Sequence, residues 1–533
     1  MRRALGAIPI SVKFLKISLA LRHLILPSNS FCTITTERWT IDKGCLIVHL
    51  YFCIVIKFYS MRYLWIWILY VLWLPLNVLN GQTYVLRSDF EKVLKARDAD
   101  ASLDDSLKVF RLSELYSAYI DGEELAVYNY YKNKSVIRLG YIWNTTTNNH
   151  WIQLALGKNE EKVLELILNQ ENGMVPHRTK IEGLKGSSVS FVGNKLRLSV
   201  KGGMAQRGMI VVDGNESEPL FIFVDVPQTV SASDSTVVLD GYHKGTYKVP
   251  SSVNRICIPL GAYYRGNIIS DHDIQVDGLG IISQEGIKHS GYEKGEDNPF
   301  KCNVAVRGND TQMKITGVTS IEPAMYHFWV WPGNGTVYEG VKAFSFLYET
   351  DAYIGSQILD CFSKVNDDHV KLYISDIKVE RLSTYLQGNG HTFQFGWGNY
   401  GSRKNIRVKD ITVFRDLNNQ KECKYVRSFI NWRKPDVPNV IEDVCFENIR
   451  FYAPVRSFCV MDNDGKPWLS TPAVRNFVIK NVRLPQKPYC LMKIENPSFH
   501  VQVEDFLIDG VLLTNENVST YISNKSLNKF IVK

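Results

Sequence analysis

From about residue 236 to the C-terminus, one short figure keeps returning: a turn of Asp, Asn or Gly that leads into an apolar-alternating strand. It occurs as KITGVTSIE (314–322), YEGVKAFSF (338–346), YISDIKVERL (373–382), IRVKDITVFRD (406–416), CFENIRFYAP (445–454), FVIKNVRLPQ (477–486) and FLIDGVLLTN (506–515). The step varies between roughly 20 and 40 residues, and no helical period fills the gaps. A strand with one apolar face has to bury it. Strands that recur at this period without helices do so by stacking coil on coil. The chain therefore reads as all-β, with a right-handed parallel β-helix over residues 236–533. A leucine-rich repeat is excluded because its Leu/Asn consensus is missing, and strands that do not group in fours argue against a propeller.

Residues 82–235 have a different texture. SVIRLGYIW, HWIQLAL, KLRLSV, GMIVVDG and PLFIFVDV alternate or run apolar between Asn, Gly and Pro turns, which predicts an antiparallel β-sandwich ahead of the β-helix. One segment, Asn159–Asn169 (NEEKVLELILN), predicts a helix within it. No chemical motif stands out here, so a packing role is expected of this domain.

The start of the chain predicts secretion. From Met61 the sequence MRYLWIWILYVLWLPLNVLNGQT has one Arg, an apolar core and then small and polar residues, the layout of a signal peptide over residues 61–81. Residues 1–60 then read as an extension that is not native to the protein. A membrane anchor is the competing reading, because Leu64–Leu79 almost spans a bilayer. Seven N-x-S/T sequons follow, at Asn133, Asn144, Asn215, Asn309, Asn334, Asn517 and Asn524, and none precedes. The seven downstream cysteines lack CxxC spacing, which argues against zinc, and their odd number leaves a thiol unpaired. Of the net charge of +8, residues 1–81 carry +7. The rest is near neutral, with no electrostatic reason for nucleic acid or another polyanion as partner. A monomeric secreted protein with a neutral ligand, and no membrane association after signal removal, is expected.

Chemistry concentrates in Val365–Tyr373 (VNDDHVKLY). Adjacent Asp367 and Asp368 between apolar flanks are hard to explain by packing, since neighbours on a strand face opposite ways. A bend turns both outward at the cost of repulsion that raises one pKa, as a general acid near neutral pH requires. An Asx-rich turn is the structural alternative. Asp351 lies one coil earlier, and three carboxylates suffice for inverting glycoside hydrolysis, with about 6.5–9.5 Å between acid and base. A calcium site is the competing chemistry.

Several segments from Pro259 to Asp416 are shared with a known family: IPLGAYYRGNI (258–268), VDGLGIIS (276–283), GVTSIEPAMYHFWVWPGNG (317–335), YETD (348–351), VNDDHVKLY (365–373) and FQFGWGNYGSRKNIRVKDITV (393–413). In order and spacing they resemble glycoside hydrolase family 49, the dextranases and isopullulanases. The resemblance implies a sandwich followed by a β-helix. It also implies inverting, endo-acting cleavage of α-glucosidic bonds, typically α-1,6 in dextran, without metal or other cofactor. Asp367 takes the general-acid position, and Asp351 and Asp368 those that activate water. Tyr326, His327 and Gln394 are cleft-lining candidates by family position. His369 and Lys371 flank the acids as possible substrate contacts, and Trp397, between two glycines, offers a ring for a sugar to stack on. Trp329 and Trp331, in an apolar alternation, are expected to be structural. Polygalacturonases share the fold and an acid trio, but their Gly-His-Gly and Arg-Ile-Lys motifs are absent: Gly388-Asn389-Gly390-His391 stands here instead. Two alternatives remain, a hydrolase of another polysaccharide and a non-catalytic carbohydrate-binding β-helix.

Overall fold

The computed structural model describes residues 83–133, 135, 147–169, 179–184, 189–192, 195–228, 233–287, 302–308, 311–347, 349–396, 401–417, 428–432, 439–461, 473–494, 499–522 and 530–533. The leader and extension expected over residues 1–81 lie outside them.

The C-terminal part is a right-handed parallel β-helix with three ladders of strands. One ladder runs through Arg255–Ile258, Ile274–Gly278, Met313–Thr316, Val337–Glu339, Gln357–Leu359 and Ile377–Glu380. A second runs through Tyr263–Ser270, Ile281–Ser283, Thr319–Ile321, Lys342–Phe344, Phe362–Lys364 and Ser383–Leu386. In later coils the two fuse into long strands, Arg403–Asp416, Val440–Phe451 and Ala473–Leu484. The polar turn residues of the repeat mark where those strands bend. Asp410, Asn448 and Asn481 have φ of 57°, 58° and 51°, a left-handed region where Asn and Asp cost least after glycine. They also stack: Asn448 Nδ2 donates to Asp410 Oδ1 at 2.8 Å, and Asn481 Nδ2 to Asn448 Oδ1 at 2.6 Å. Inward residues form one continuous core in which Phe393, Phe446, Phe477 and Phe499 pack ring against ring.

The N-terminal part is a sandwich of a six-stranded and a five-stranded sheet. Here one expectation is corrected. Asn159–Asn169 does not form a helix; Glu161–Leu168 is a strand between Tyr116–Ile120 and Lys195–Lys201. Glu, Lys and Leu favour helices in isolation, but Leu164 and Leu166 bury into the sandwich core, and pairing on both sides overrides propensity. The helix that does form, α1 (Arg87–Asp98), precedes the sandwich strands.

Sandwich and β-helix share an aromatic core in which Phe221 and Phe223 pack on Phe344 and Phe362. Ion pairs seal it: Asp225 accepts from Arg207 Nη2 at 2.7 Å and from Lys342 Nζ at 2.8 Å, all three buried. Five of the six described cysteines, Cys257, Cys302, Cys361, Cys445 and Cys459, are free thiols; Cys490 is disulfide-bonded.

Candidate active site

The acids sit on the third ladder. Its strands are only two to five residues long. Tyr353 pairs with Val370, Val370 with Phe393, and Phe393 with Ile430. That register fixes the residues just ahead of each strand. The Ala352 amide donates to the Asp368 carbonyl at 3.0 Å, and the His369 amide to the His391 carbonyl at 2.8 Å. Asp351, Asp368 and His391 thus stand in one column along the coil corner, about 4.8 Å apart per coil. Asn366 and Asp367 lie in a bend with Asp368 just past it, so the two acids are not held to strand alternation.

Carboxylate oxygens of Asp351, Asp367 and Asp368 all lie within 4.8 Å of one another. Asp351 and Asp368 are 4% and 2% exposed, whereas Asp367 is only half-buried. Each is held by donors. Asp367 Oδ2 accepts from the Glu349 amide at 3.2 Å and from Asn389 Nδ2 at 3.1 Å. The Asp368 amide donates to Asp367 Oδ1 at 2.9 Å and to Asp351 Oδ1 at 3.0 Å. Asp368 Oδ1 accepts from the His391 amide at 3.1 Å. Lys371 Nζ lies 2.8 Å from Asp351 Oδ2 and 3.7 Å from Asp368 Oδ2, between the rings of Tyr326 and Tyr373 at 5.4 and 5.5 Å.

Burial, then the charges of Asp351 and Asp368, push the Asp367 carboxyl well above the usual carboxylate range. Asp368 is pushed up to about 8 by burial and Asp351, against the opposing pull of Lys371 and the His391 amide. A protonated carboxyl of the cluster can donate a proton, while an ionised neighbour, steadied by the Lys371 ammonium, can accept one from water. The same oxygens also meet the distance requirement of a cation site.

A further correction concerns the histidines. His327 and His369 are fully buried inside two corners with that of Ala352 between them, where Nδ1 bonds Ser320 Oγ at 2.7 Å and Ser363 Oγ at 2.6 Å. Burial lowers both imidazoles to about 3, so they are neutral packing groups rather than rings offered to substrate. Gln394 is also fully buried, beneath Tyr373, whose hydroxyl donates to Gln394 Oε1. Tyr326 and Lys371 do face the acids. Trp397 lies outside the described residues. Trp331, expected to be structural, is 47% exposed.

Sequence reasoning passed over Asn389, Gly390 and Tyr373. Gly390, with φ of 79°, packs so closely that a Cβ would stand 2.2 Å from the Asp367 carbonyl carbon. Only glycine lets the following coil close behind the acid. The signal was present: Gly388–His391 follows the Asp pair by one coil, as Asp351 precedes it.

Fold and site together define a β-sandwich–β-helix protein with a buried carboxylate trio on its lateral ladder. No family model matches the chain. In sequence it is similar to a dextranase of Arthrobacter globiformis, 25% identical over 290 residues, covering 43% of this chain and 45% of that protein. It is also similar to an isopullulanase of Aspergillus niger, 23% identical over 195 residues, covering 31% of this chain and 34% of that protein. The chain thus spans less than half the length of either relative. In structure it is similar to Dex49A from Penicillium minioluteum, with a TM-score of 0.64 at 15% identity, over 79% of this chain and 94% of that one. That likeness speaks for the fold, and the resemblance to glycoside hydrolase family 49 stands.

Proposed function

We propose that this chain is a secreted glycoside hydrolase that cleaves α-glucosidic bonds inside a neutral, dextran-like polysaccharide. One observation carries the reading: the third ladder sets Asp351 one coil before the Asp367–Asp368 pair, with Asp367 half-buried. Asp367 donates its proton to the glycosidic oxygen as the bond to the anomeric carbon breaks. Water adds to that carbon and gives its proton to Asp368 or Asp351, whose charge Lys371 steadies. Inversion is supported by the resemblance to family 49. The near-neutral charge downstream of residue 81 favours a neutral chain over pectin. The exposed sequon asparagines Asn215 and Asn334 support secretion.

Reducing-sugar release from dextran, pullulan, starch and polygalacturonate tests the proposal. Cleavage of dextran or pullulan is expected. Release from polygalacturonate alone would refute the α-glucan assignment, and release from none would leave a carbohydrate-binding β-helix.

A further inference from the structure

Beside the acids, the corner one coil before Asp351 carries three aromatic rings. Tyr326 and Trp329 stack at 5.2 Å with planes 22° apart, and Trp329 and Trp331 at 6.4 Å and 18°. The inner end abuts the acids through Lys371, whose ammonium lies 5.4 Å from the Tyr326 ring centre and 2.8 Å from Asp351. At the outer end Trp331 is 47% exposed, whereas Trp151 and Trp432 are fully buried. An exposed indole offers apolar area that folding has not used. Immediately past it, Pro332, Asn334, Tyr373, Ser375, Asp376 and Arg403 line a cleft of about 450 Å³, within the range of small-ligand sites. Tyr373 belongs to both places, since its ring also faces Lys371 at 5.5 Å.

We propose that the Tyr326–Trp329–Trp331 stack is a subsite for an uncharged pyranose unit of the polysaccharide, set to one side of the bond being cut. This rests on the hydrolase reading above and names a contact that reading does not include. A pyranose ring has an apolar C–H face that packs on an aromatic plane and a rim of hydroxyls that needs polar partners. Trp331 supplies the first; Ser375 supplies the second. Among the residues lining the cleft, Arg403 is the cation and Asp376 the anion, and the two charges offset each other. That suits a neutral sugar over a uronate.

The test is affinity electrophoresis of the full chain carrying Asp367→Asn through gels containing dextran, pullulan or polygalacturonate. Dextran or pullulan should retard it. Adding Trp331→Ala should weaken that binding about tenfold, with Trp331→Phe restoring most of it and the melting temperature unchanged in both. Equal retardation with and without Trp331→Ala, or no retardation by either neutral glucan, overturns the subsite. A wild-type chain that cuts no glucan, yet whose retardation depends on Trp331, overturns the hydrolase reading and keeps the subsite.

Discussion

Lys371 Nζ lies 2.8 Å from Asp351 Oδ2 across one coil and 3.7 Å from Asp368 Oδ2 within its own. Burial by itself would strip this ammonium of its proton, but Asp351, followed by Tyr373 and Asp368, holds it charged well above the ordinary lysine range. It in turn opposes the rise of Asp368. Lys371→Met should therefore move the acid limb of kcat/KM to higher pH by about one unit or more, because ionising a carboxyl in the cluster becomes costlier. Lys371→Arg should keep most of the wild-type profile. The pH dependence of kcat/KM for both variants is the measurement, and an unmoved acid limb would place the compensating charge elsewhere.

Asp367 works as a donor only while protonated. Its activity is thus present below its folded pKa and lost as pH rises through it, and burial beside Asp351 and Asp368 sets that loss well above the ordinary carboxylate range. Asp367→Asn should lower kcat by about 10²–10⁴-fold, leave KM within a few-fold and remove the alkaline limb. Turnover near the wild-type value would move the acid to another residue.

Stereochemistry is a separate question, because a carboxylate trio can serve either an inverting or a retaining pathway. The resemblance to family 49 predicts that the first-formed product is the β-anomer from an α-linked glucan. Proton NMR during the first minutes of hydrolysis reads this directly. An α-anomer appearing first would sink the inverting assignment and turn attention to a carboxylate as nucleophile.

Acid should loosen the β-helix through its buried histidines. His327 and His369 sit near 3 in the fold and close to 6.5 when unfolded. Their contribution is fully present above about pH 6.5 and falls toward pH 3 by up to about 1.4 kcal/mol per pH unit for each ring. Asp367 and Asp368, whose folded values are raised, act the other way in the same window. Urea unfolding of His369→Asn against wild type at pH 7, 6 and 5 isolates the histidine part. The wild type should lose stability faster on acidification, and parallel pH slopes would refute the assignment.

Much of this molecule was legible before any coordinates. The recurring polar turn and alternating strand specified a solenoid, because a strand's side chains alternate by covalent geometry and a one-sided apolar face has to be stacked. The Asp367–Asp368 pair and Asp351 were legible for a related reason: charge without a partner in an apolar run demands an explanation. Glu161–Leu168 was misread because a strand between two partners and an isolated helix can share one composition. Asn389 and Gly390 went unnoticed because their role lies wholly in the coil they close against.

By itself, then, the sequence determined the architecture and which residue types could do chemistry, since periodicity and charge are local properties of the chain. Tertiary structure alone decided which of them meet. The register Tyr353–Val370–Phe393 sets Asp351, Asp368 and His391 in one column. The inward turn of alternate corners takes His327 and His369 out of reach, and the coil of His327 leaves Trp331 47% exposed. Those outcomes depend on contacts between coils about 20 residues apart, where a shift of one residue in register would change every neighbour.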